Sequence, residues 1–356
     1  MLSQVRIFFT HKEREEEEDM TAEVKELIER HLPESRVGRK SGRLYTDTSD
    51  FMRISYGDVI RLGSDDYLVH RDEVERSYGL EDPKYWVKRC THLQSGHKKI
   101  LKLVFHESFP LSIGSFEIQC YRSPMKEARI LNLVRGDRRF MQGHSVKDTR
   151  GNVVRVLDVI HGRRLDEVVD KIPAGHEEYF FKHFPGILEK FIDSCRAIKV
   201  LHDNWEKHGD IRRDHLWVES GTGDYRWIDF DYTFDFNENP FGLDLFGLGA
   251  YLLFLTGKTY YTPTEITDQG VGPGCLEKLS EADFLLLFKN RIANLRAIFP
   301  YVPEELNRVL LHFSSGAEVF YESVDELLSD LEPCLDILAP QRGDAGHGRE
   351  PQEVDP

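Results

Sequence analysis

The feature that most constrains the fold of this chain is a helix, a polar loop and a hairpin that follow one another in its second half. The segment Phe184–Asp203 keeps apolar side chains on one face at a spacing near 3.6 residues, which predicts an amphipathic helix. The apolar runs Leu216–Val218 and Tyr225–Phe230 flank a turn with two glycines, which is typical of a β-hairpin. Asp210 then lies in the tight polar loop, and Asp229 lies at the end of the second strand.

Two carboxylates at the ends of such a hairpin suit phosphoryl transfer from a nucleotide. In that chemistry one Asp orients the acceptor hydroxyl, and the other holds the magnesium that neutralises the phosphates. The alternative is a loop with incidental acidic residues. The placement of Asp229 behind a strand, one hairpin after Asp210, favours the catalytic interpretation.

The sequence HGDIRRDH (His208–His215) resembles the protein-kinase catalytic loop, H-R-D-L-x-x-x-N, and Asp229–Asp231 resembles D-F-G. The resemblance is to an atypical, bacterial-type serine/threonine protein kinase. The Gly after the first His and the acidic residue after Asp-Phe are closer to the aminoglycoside and choline phosphotransferase branch. His215 stands where the family has an Asn, and Asp231 replaces a Gly. An imidazole suits magnesium less well than an amide oxygen, so the metal stoichiometry stays open.

The resemblance implies a role for each of these residues. Asp210 and Arg212 are expected to be catalytic, with Asp210 orienting the acceptor hydroxyl. Asp229 and His215 are expected to bind the metal. The implied cofactors are ATP and Mg²⁺, with Mn²⁺ as a possible substitute.

Four short runs with strand character precede this region and predict a small antiparallel sheet: Asp58–Gly63, Asp66–His70, Tyr85–Cys90 and Lys98–Phe105. Lys102 is a charge inside the last run, where a lone edge-strand lysine is the alternative. The resemblance implies that Lys102 contacts the phosphates and pairs with Glu127 on the next helix. A Ser cap and a Pro predict that this helix begins at Ser123. Glu117 is a weaker candidate partner.

The phosphate-covering loop is the weakest match, because G-x-G-x-x-G is absent. The corresponding turn, Glu75–Asp82, has one glycine, Gly79, and several acids, which would cradle phosphates poorly unless they point outward. The backbone at Asp158, Ile160 and His161 resembles the hinge that receives the adenine edge. The alternative there is any buried strand that enters a helix.

The remaining segments complete an α+β, two-lobed, protein-kinase-like fold. We expect an N-terminal extension over residues 1–50, made of an acidic run, an amphipathic helix and a linker from Gly38 to Ser49. An antiparallel-sheet lobe over 51–160, a mainly helical lobe over 161–338 and a disordered tail over 339–356 follow. Asp244, in an apolar helix that resembles the family's D-x-x-x-x-G segment, is expected to accept backbone amides of the catalytic loop.

Composition narrows the partners and the compartment. The net charge of −15 argues against a nucleic acid or an anionic membrane as the main partner. The five cysteines are scattered and include no C-x-x-C pair, so neither a disulfide framework nor a zinc site is indicated. The longest apolar run, Leu245–Leu255, is too short to span a membrane, and the acidic amino terminus lacks the pattern of a signal peptide. We therefore expect a cytoplasmic protein.

The acceptor stays open at this point. The closing helices, which end with Ser323–Leu331, favour a serine/threonine protein kinase with a protein substrate. Asp244 follows Asp229 by only 15 residues without an A-P-E-like segment, which favours a small-molecule or glycan kinase of the aminoglycoside, choline or lipopolysaccharide kinase type. His215 and the glycine-poor loop favour a third alternative, a pseudokinase scaffold that binds a partner.

Overall fold

The computed structural model describes residues 18–19, 22–31, 42–77, 80–113, 116–235, 239–269 and 274–339 of the 356 residues. The strands, in chain order, are β1 (Glu18–Asp19), β2 (Arg43–Tyr45), β3 (Val59–Leu62), β4 (Asp65–Ser77), β5 (Leu80–His92), β6 (Lys98–Lys102), β7 (Ser108–Ile113), β8 (Phe116–Arg122), β9 (Gly143–Lys147), β10 (Val153–Asp158), β11 (Gly162–Arg164), β12 (Leu216–Glu219), β13 (Tyr225–Trp227) and β14 (Tyr232–Phe234). The α-helices are α1 (Ala22–His31), α2 (Pro124–Leu133), α3 (Leu165–Asp170), α4 (His176–Lys182), α5 (Phe184–Asp203), α6 (Gly242–Gly257), α7 (Pro263–Gln269), α8 (Leu295–Ile298), α9 (Glu304–Leu311), α10 (Val324–Leu331) and α11 (Pro333–Leu338).

The chain divides into two compact units. The first contains Met1–Val104 and Ser145–Val156, and the second contains Phe105–His144 and Leu157–Pro356. A sheet dominates the first unit, and helices dominate the second, so the α+β class is confirmed. Residues 105–144 group with the second unit, whereas the sequence-based lobe boundary lies at residue 160.

The first unit is built on one large sheet, with the strand order β1-β2-β3-β4-β5-β6-β10-β9. Strands β3 to β6 pair antiparallel, and β2 pairs parallel to β3. Side chains alternate between the two faces of the sheet, as extended strands require. Val59 and Leu68 pack with Val24 of α1, and Ile60 and Val69 pack into the core on the other face.

Some of the expectations for the chain need correction, and others concern residues that are not described. The predicted linker Gly38–Ser49 contains β2, because Leu44 finds a buried place beside β3 that periodicity does not signal. Strands β4 and β5 are longer than predicted, and their charged side chains form ion pairs such as Arg89 to Glu73. Gly79, most of the acidic run and the tail after residue 339 lie outside the described residues.

The predicted elements that carry the catalytic-loop motif are present in the second unit. Helix α5 has the predicted bounds, Phe184–Asp203, and its apolar face is buried. Strands β12 and β13 form the predicted hairpin, with Leu216 opposite Trp227, but β13 ends at Trp227 and not at the predicted Phe230, so Asp229 lies two residues beyond the strand. Helix α2 begins after Ser123, whose side chain accepts the backbone amide of Lys126, as the Ser-Pro signal predicts.

A three-stranded sheet in the second unit was not predicted. Its order is β14-β8-β7, and Tyr232 and Phe234 of β14 lie opposite Arg122 and Cys120 of β8. Its buried side chains, including Ile118, contact apolar residues near the start of α6. Strand β14 of this sheet follows the Asp229–Asp231 motif directly in the chain.

None of the described helices combines the length and the apolarity that crossing a bilayer requires. The five cysteines are buried and free: Cys90, Cys120, Cys195, Cys275 and Cys334.

Candidate active site

Asp244, in the first turn of α6, fixes the loop His208–His215, which resembles the kinase catalytic loop. Its Oδ2 accepts the backbone N–H of His208 at 2.7 Å, and its Oδ1 accepts that of Gly209 at 2.8 Å. His202 Nε2 lies 3.1 Å from Oδ2. Burial acts to raise the pKa of Asp244, but the hydrogen bond and charge of His202 outweigh it and lower the pKa to about 2. The predicted structural role of Asp244 is confirmed.

Gly209 allows the catalytic loop to touch the segment that follows Asp229. Its φ is +84°, which favours glycine, and an added Cβ would lie 1.9 Å from the carbonyl oxygen of Tyr232. A non-glycine residue would therefore both strain the backbone and force the two segments apart. This contact gives a packing reason for Gly where the protein-kinase motif has Arg.

Lys126 joins the same two segments, and sequence reasoning missed it. Its Nζ donates to the carbonyl oxygens of His208 at 2.8 Å, Phe230 at 3.0 Å and Tyr232 at 2.5 Å. Burial lowers the pKa of Lys126 to about 8, although nearby carboxylates, first among them Asp244, oppose that shift. A lysine beside the predicted Glu127, in a helix that had to be buried, was the available signal.

Asp210 lies in the loop with a carboxylate that is 20% exposed. Burial raises its pKa, and the charges of Asp229 and Asp214 act in the same direction, while His215 and Arg212 oppose them. Arg212 Nε lies 3.5 Å from Asp210 Oδ1. A raised pKa brings a carboxylate closer to the range in which it can accept a proton from a hydroxyl.

His215 is buried under Asp210 and is oriented by two hydrogen bonds. Its Nδ1 lies 2.7 Å from the carbonyl oxygen of Asp210, and its Nε2 lies 2.9 Å from Arg212 Nη2. Since a carbonyl and a guanidinium can only accept and donate respectively, these contacts assign the ring proton to Nδ1 and leave Nε2 as an acceptor. Nε2 is 3.6 Å from Asp229 Oδ2. The two atoms face one region, but Arg212 occupies the lone pair that a metal would need.

Asp229 has an unusual backbone conformation. Its φ is +63°, in the left-handed region that non-glycine residues seldom adopt. Its carboxylate is 26% exposed, and carboxylate oxygens are ligands that Mg²⁺ prefers. Within the described residues, no group of three or more His, Cys, Asp and Glu side chains could hold a metal ion. A partly exposed carboxylate such as that of Asp229 fits a magnesium whose other ligands would be water and phosphate oxygens.

Asp231, which stands in place of the glycine of D-F-G, is part of an unpredicted charged cluster. Arg122 Nη1 donates to Asp231 Oδ2 at 2.6 Å, and both side chains are buried. The same guanidinium lies 4.2 Å from the ring centroid of Tyr232 and donates to its hydroxyl at 2.5 Å. Tyr232 in turn donates to Glu107 at 2.5 Å.

The predicted nucleotide-binding residues are distributed over both units. Lys102 is buried on β6 of the first unit, and Glu127 is buried on α2 of the second. At the predicted hinge, the amide of Asp158 donates to Gln142 at 2.9 Å, and the carbonyl of His161 accepts from Ser220 at 2.7 Å.

Ile160, between these two residues, is partly buried. Glu117, the weaker candidate partner of Lys102, is exposed on β8. The adenine-binding role of the hinge stays a prediction.

The order of the elements and the loop held by Asp244 are those of a protein-kinase-like fold. No protein-family model matches the chain. Over 149 residues, or 41% of its length, the chain is 26% identical to a Caenorhabditis elegans protein described as "Putative ribosomal protein S6 kinase alpha-2". This match spans 17% of that relative's length. The chain is also similar to the kinase domain of Mycobacterium tuberculosis PknI, with a TM-score of 0.46 and 14% identity over 77% of this chain and 97% of that domain.

Proposed function

We propose that this protein is an ATP-dependent phosphotransferase that transfers the γ-phosphoryl group to an alcohol. The observation that carries the proposal is the close contact between the loop His208–His215 and the segment Asp229–Tyr232. Asp210 and Asp229 belong to these two segments, and Lys126 and Gly209 hold the segments together. We would not expect these two segments to be held together in this way if Asp210 and Asp229 were incidental acidic residues.

In the proposed mechanism Asp210 acts on the acceptor. Its carboxylate accepts the hydrogen bond of the attacking hydroxyl and directs the oxygen in line with the γ-phosphorus. The new O–P bond forms as the bond to the bridging oxygen of ADP breaks, and the hydroxyl proton passes to Asp210. Arg212, at 3.5 Å from this carboxylate, would carry positive charge next to the transferred group.

Asp229 would hold the cation that accompanies the nucleotide. A bound magnesium would supply positive charge between the phosphate oxygens as negative charge develops on them. The left-handed backbone and partial exposure of Asp229 support this role. For His215 we propose direct binding only where Arg212 has released Nε2, because the two interactions compete for one lone pair.

The proposed nucleotide contacts come from separate parts of the chain. Lys102 would contact the phosphates, and the parts of Glu127 and Gly79 in nucleotide binding are proposed from the resemblance to protein kinases alone. The backbone of Asp158, Ile160 and His161 would receive the adenine edge. The burial of Lys102 supports its part in this proposal, since buried charges are kept only where they are paired.

A serine or threonine of a protein is the acceptor that we propose first, as the closing helices α9 to α11 favour. A small molecule or glycan is the second candidate, and one observation favours it. Strand β14 pairs with β8 directly after Asp231, and Lys126 and Lys207 bind the carbonyls of Tyr232 and Phe234. The segment after Asp231 is therefore already paired within the protein, which leaves less of its backbone for an extended peptide.

Incubation of the purified protein with γ-labelled ATP and Mg²⁺, alone and with fractionated cell extract, tests the function. Label in a protein band supports the first acceptor class, and label in a small molecule supports the second. Asp229→Asn should abolish transfer, and Asp224→Asn, in the turn of the same hairpin, should not. ATP binding without transfer to any acceptor would instead support the pseudokinase alternative.

A further inference from the structure

We propose that Arg122 is a positioning residue that holds Asp229 in its metal-binding conformation through the buried carboxylate of Asp231. This inference rests on the proposed function and extends it to residues outside the recognised motifs. It concerns how residues Asp229–Tyr232, which we call the Asp229 segment, are held. Arg122 itself contacts neither nucleotide nor acceptor in this proposal.

The contacts between β8 and the Asp229 segment are short and buried. Arg122 Nη1 lies 2.6 Å from Asp231 Oδ2, and their side chains are 7% and 1% exposed. The backbone repeats the link, because the amide of Ser123 donates to the carbonyl of Asp231 at 2.7 Å. Charge-assisted bonds at such burial fix a segment more firmly than exposed pairs do.

The guanidinium is enclosed on its remaining sides. The ring of Tyr232 covers one face at 4.2 Å, and the hydroxyl of Tyr232 and the carboxylate of Glu107 lie beside Nη2. Burial acts to lower the pKa of Arg122, but the charge of Asp231 and the more distant charge of Asp229 outweigh it and raise the pKa. The influence of Asp229 places the guanidinium within electrostatic reach of the proposed metal ligand.

The segment needs such support because its backbone is strained. Asp229 has a φ of +63°, and a left-handed non-glycine residue persists only where its surroundings hold it. Asp231 lies two residues further on, and its side chain and carbonyl are both bound by the end of β8. A glycine at this position would have no side chain for Arg122 to hold.

The same contacts would order the Asp229 segment without phosphorylation. Arg122 is charged at all physiological pH values, and both Arg122 and Asp231 are part of the folded chain. We therefore expect the Asp229 segment to be ordered in protein that carries no phosphate.

The test measures ADP affinity by calorimetry, with Mg²⁺ and with EDTA, for the wild type and for Arg122→Met, Asp231→Asn and Asp229→Asn. We expect Arg122→Met and Asp231→Asn to reduce the Mg²⁺-dependent gain in affinity about 10-fold or more, as outer-shell changes at metal sites do. Affinity in EDTA should change less than about twofold. Arg122→Lys should recover part of the gain, and Arg129→Met, which removes an exposed ion pair with Glu206, should leave it unchanged.

Combination with Asp229→Asn identifies the route of the effect. In that background Arg122→Met should cause no further loss, because the group that it positions is gone. Equal loss of affinity in Mg²⁺ and EDTA, or an unchanged gain, would overturn the positioning role. If Arg122→Met does not fold, Asp231→Asn decides alone. A wild type with no Mg²⁺-dependent gain would instead refute the proposed function itself, and the inference with it.

Discussion

The Nζ atom of Lys126 lies 2.8 Å from the carbonyl oxygen of His208, although the two residues are 82 positions apart. The same ammonium binds two carbonyls of the segment around Phe230. One buried charge thus connects helix α2 with both segments that carry the proposed catalytic aspartates. The first prediction concerns its removal.

Lys126→Met should lower the free energy of unfolding by about 2 to 4 kcal/mol, because three buried carbonyls lose a charged donor while the cost of burying that charge is relieved. Urea unfolding would measure the loss. Lys207→Met is the matched control, since Lys207 binds one carbonyl, that of Phe234, at 2.8 Å and is only half-buried. Its loss should cost about 1 kcal/mol. Equal losses in the two variants would contradict the connecting role of Lys126.

Gly209→Ala tests the contact between the loop and Tyr232. An alanine at a positive φ lowers the free energy of unfolding by about 1 kcal/mol. Its Cβ would in addition lie 1.9 Å from the carbonyl oxygen of Tyr232. Gly221 has a φ of +94° and no atom within 4 Å of an added Cβ, so Gly221→Ala adds backbone strain without a steric clash. We expect Gly209→Ala to be destabilised by at least about 2 kcal/mol more than Gly221→Ala in thermal or urea unfolding. Similar stabilities would show that the two segments separate without cost.

Asp210→Asn separates binding from catalysis. Asp210 is proposed to act on the acceptor, so its loss should lower kcat by roughly 10²- to 10⁴-fold and leave ATP affinity nearly unchanged. Lys102→Met should weaken ATP binding as well as turnover, because its charge would pair with phosphates in the ground state. Kinetics with labelled ATP and equilibrium binding give the two quantities. Wild-type turnover in both variants would remove both residues from the site.

His215→Asn restores the residue that the family motif has at this position. If His215 ligates the metal once Arg212 has moved, the wild type should work with Mn²⁺ at least as well as with Mg²⁺, and the variant should shift toward Mg²⁺. The ratio of kcat/KM in the two metals is the measurement. An unchanged ratio would assign His215 a purely structural role, as the bond between its Nδ1 and the carbonyl of Asp210 already provides.

His176 predicts a loss of stability in mild acid, far from the proposed site. It stacks on Phe299 at 3.7 Å and bonds to Tyr301 and Thr256, and burial lowers its pKa from 6.5 to about 4. The unfolded state binds the proton first as the pH falls below 6.5, so stability is lost from there down to about pH 4. From pH 6.5 to 5 the loss should approach about 2 kcal/mol at 1.36 kcal/mol per pKa unit.

Urea unfolding at pH 7.5 and 5.0 would measure the difference. His176→Gln should reduce it by that amount, and His97→Gln, at an exposed hairpin turn, should not. An identical pH dependence in wild type and His176→Gln would show that His176 is already protonated in the folded state or is not buried as described.

Sequence reasoning succeeded where the signal is local. The 3.6-residue period predicted α5, the Ser-Pro pair predicted the start of α2, and the resemblance of the helix around Asp244 to the kinase D-x-x-x-x-G segment implied its bond to the loop. It failed where partners are distant in the chain. Arg122 and Asp231 are 109 residues apart, and no periodicity relates them.

The small sheet was missed for a similar reason. Strand β7 contains Pro110, which lowers its strand signal, and β14 is only three residues long. These strands are stabilised by pairing with one another and by the apolar contacts around Cys120. Such contacts between distant residues form only in the folded chain. The motif residues could thus be named from the sequence, whereas the charges that hold them could not.

The five buried cysteines can be used to detect local unfolding of the protein. Burial raises the pKa of Cys90, Cys120, Cys195 and Cys334, and a thiol that is neither exposed nor ionised reacts slowly with alkylating reagents. Cys90 reports on the first unit, and Cys195, inside α5, reports on the second. The labelling rates of these two cysteines in native conditions would therefore show whether the two units open together or one at a time.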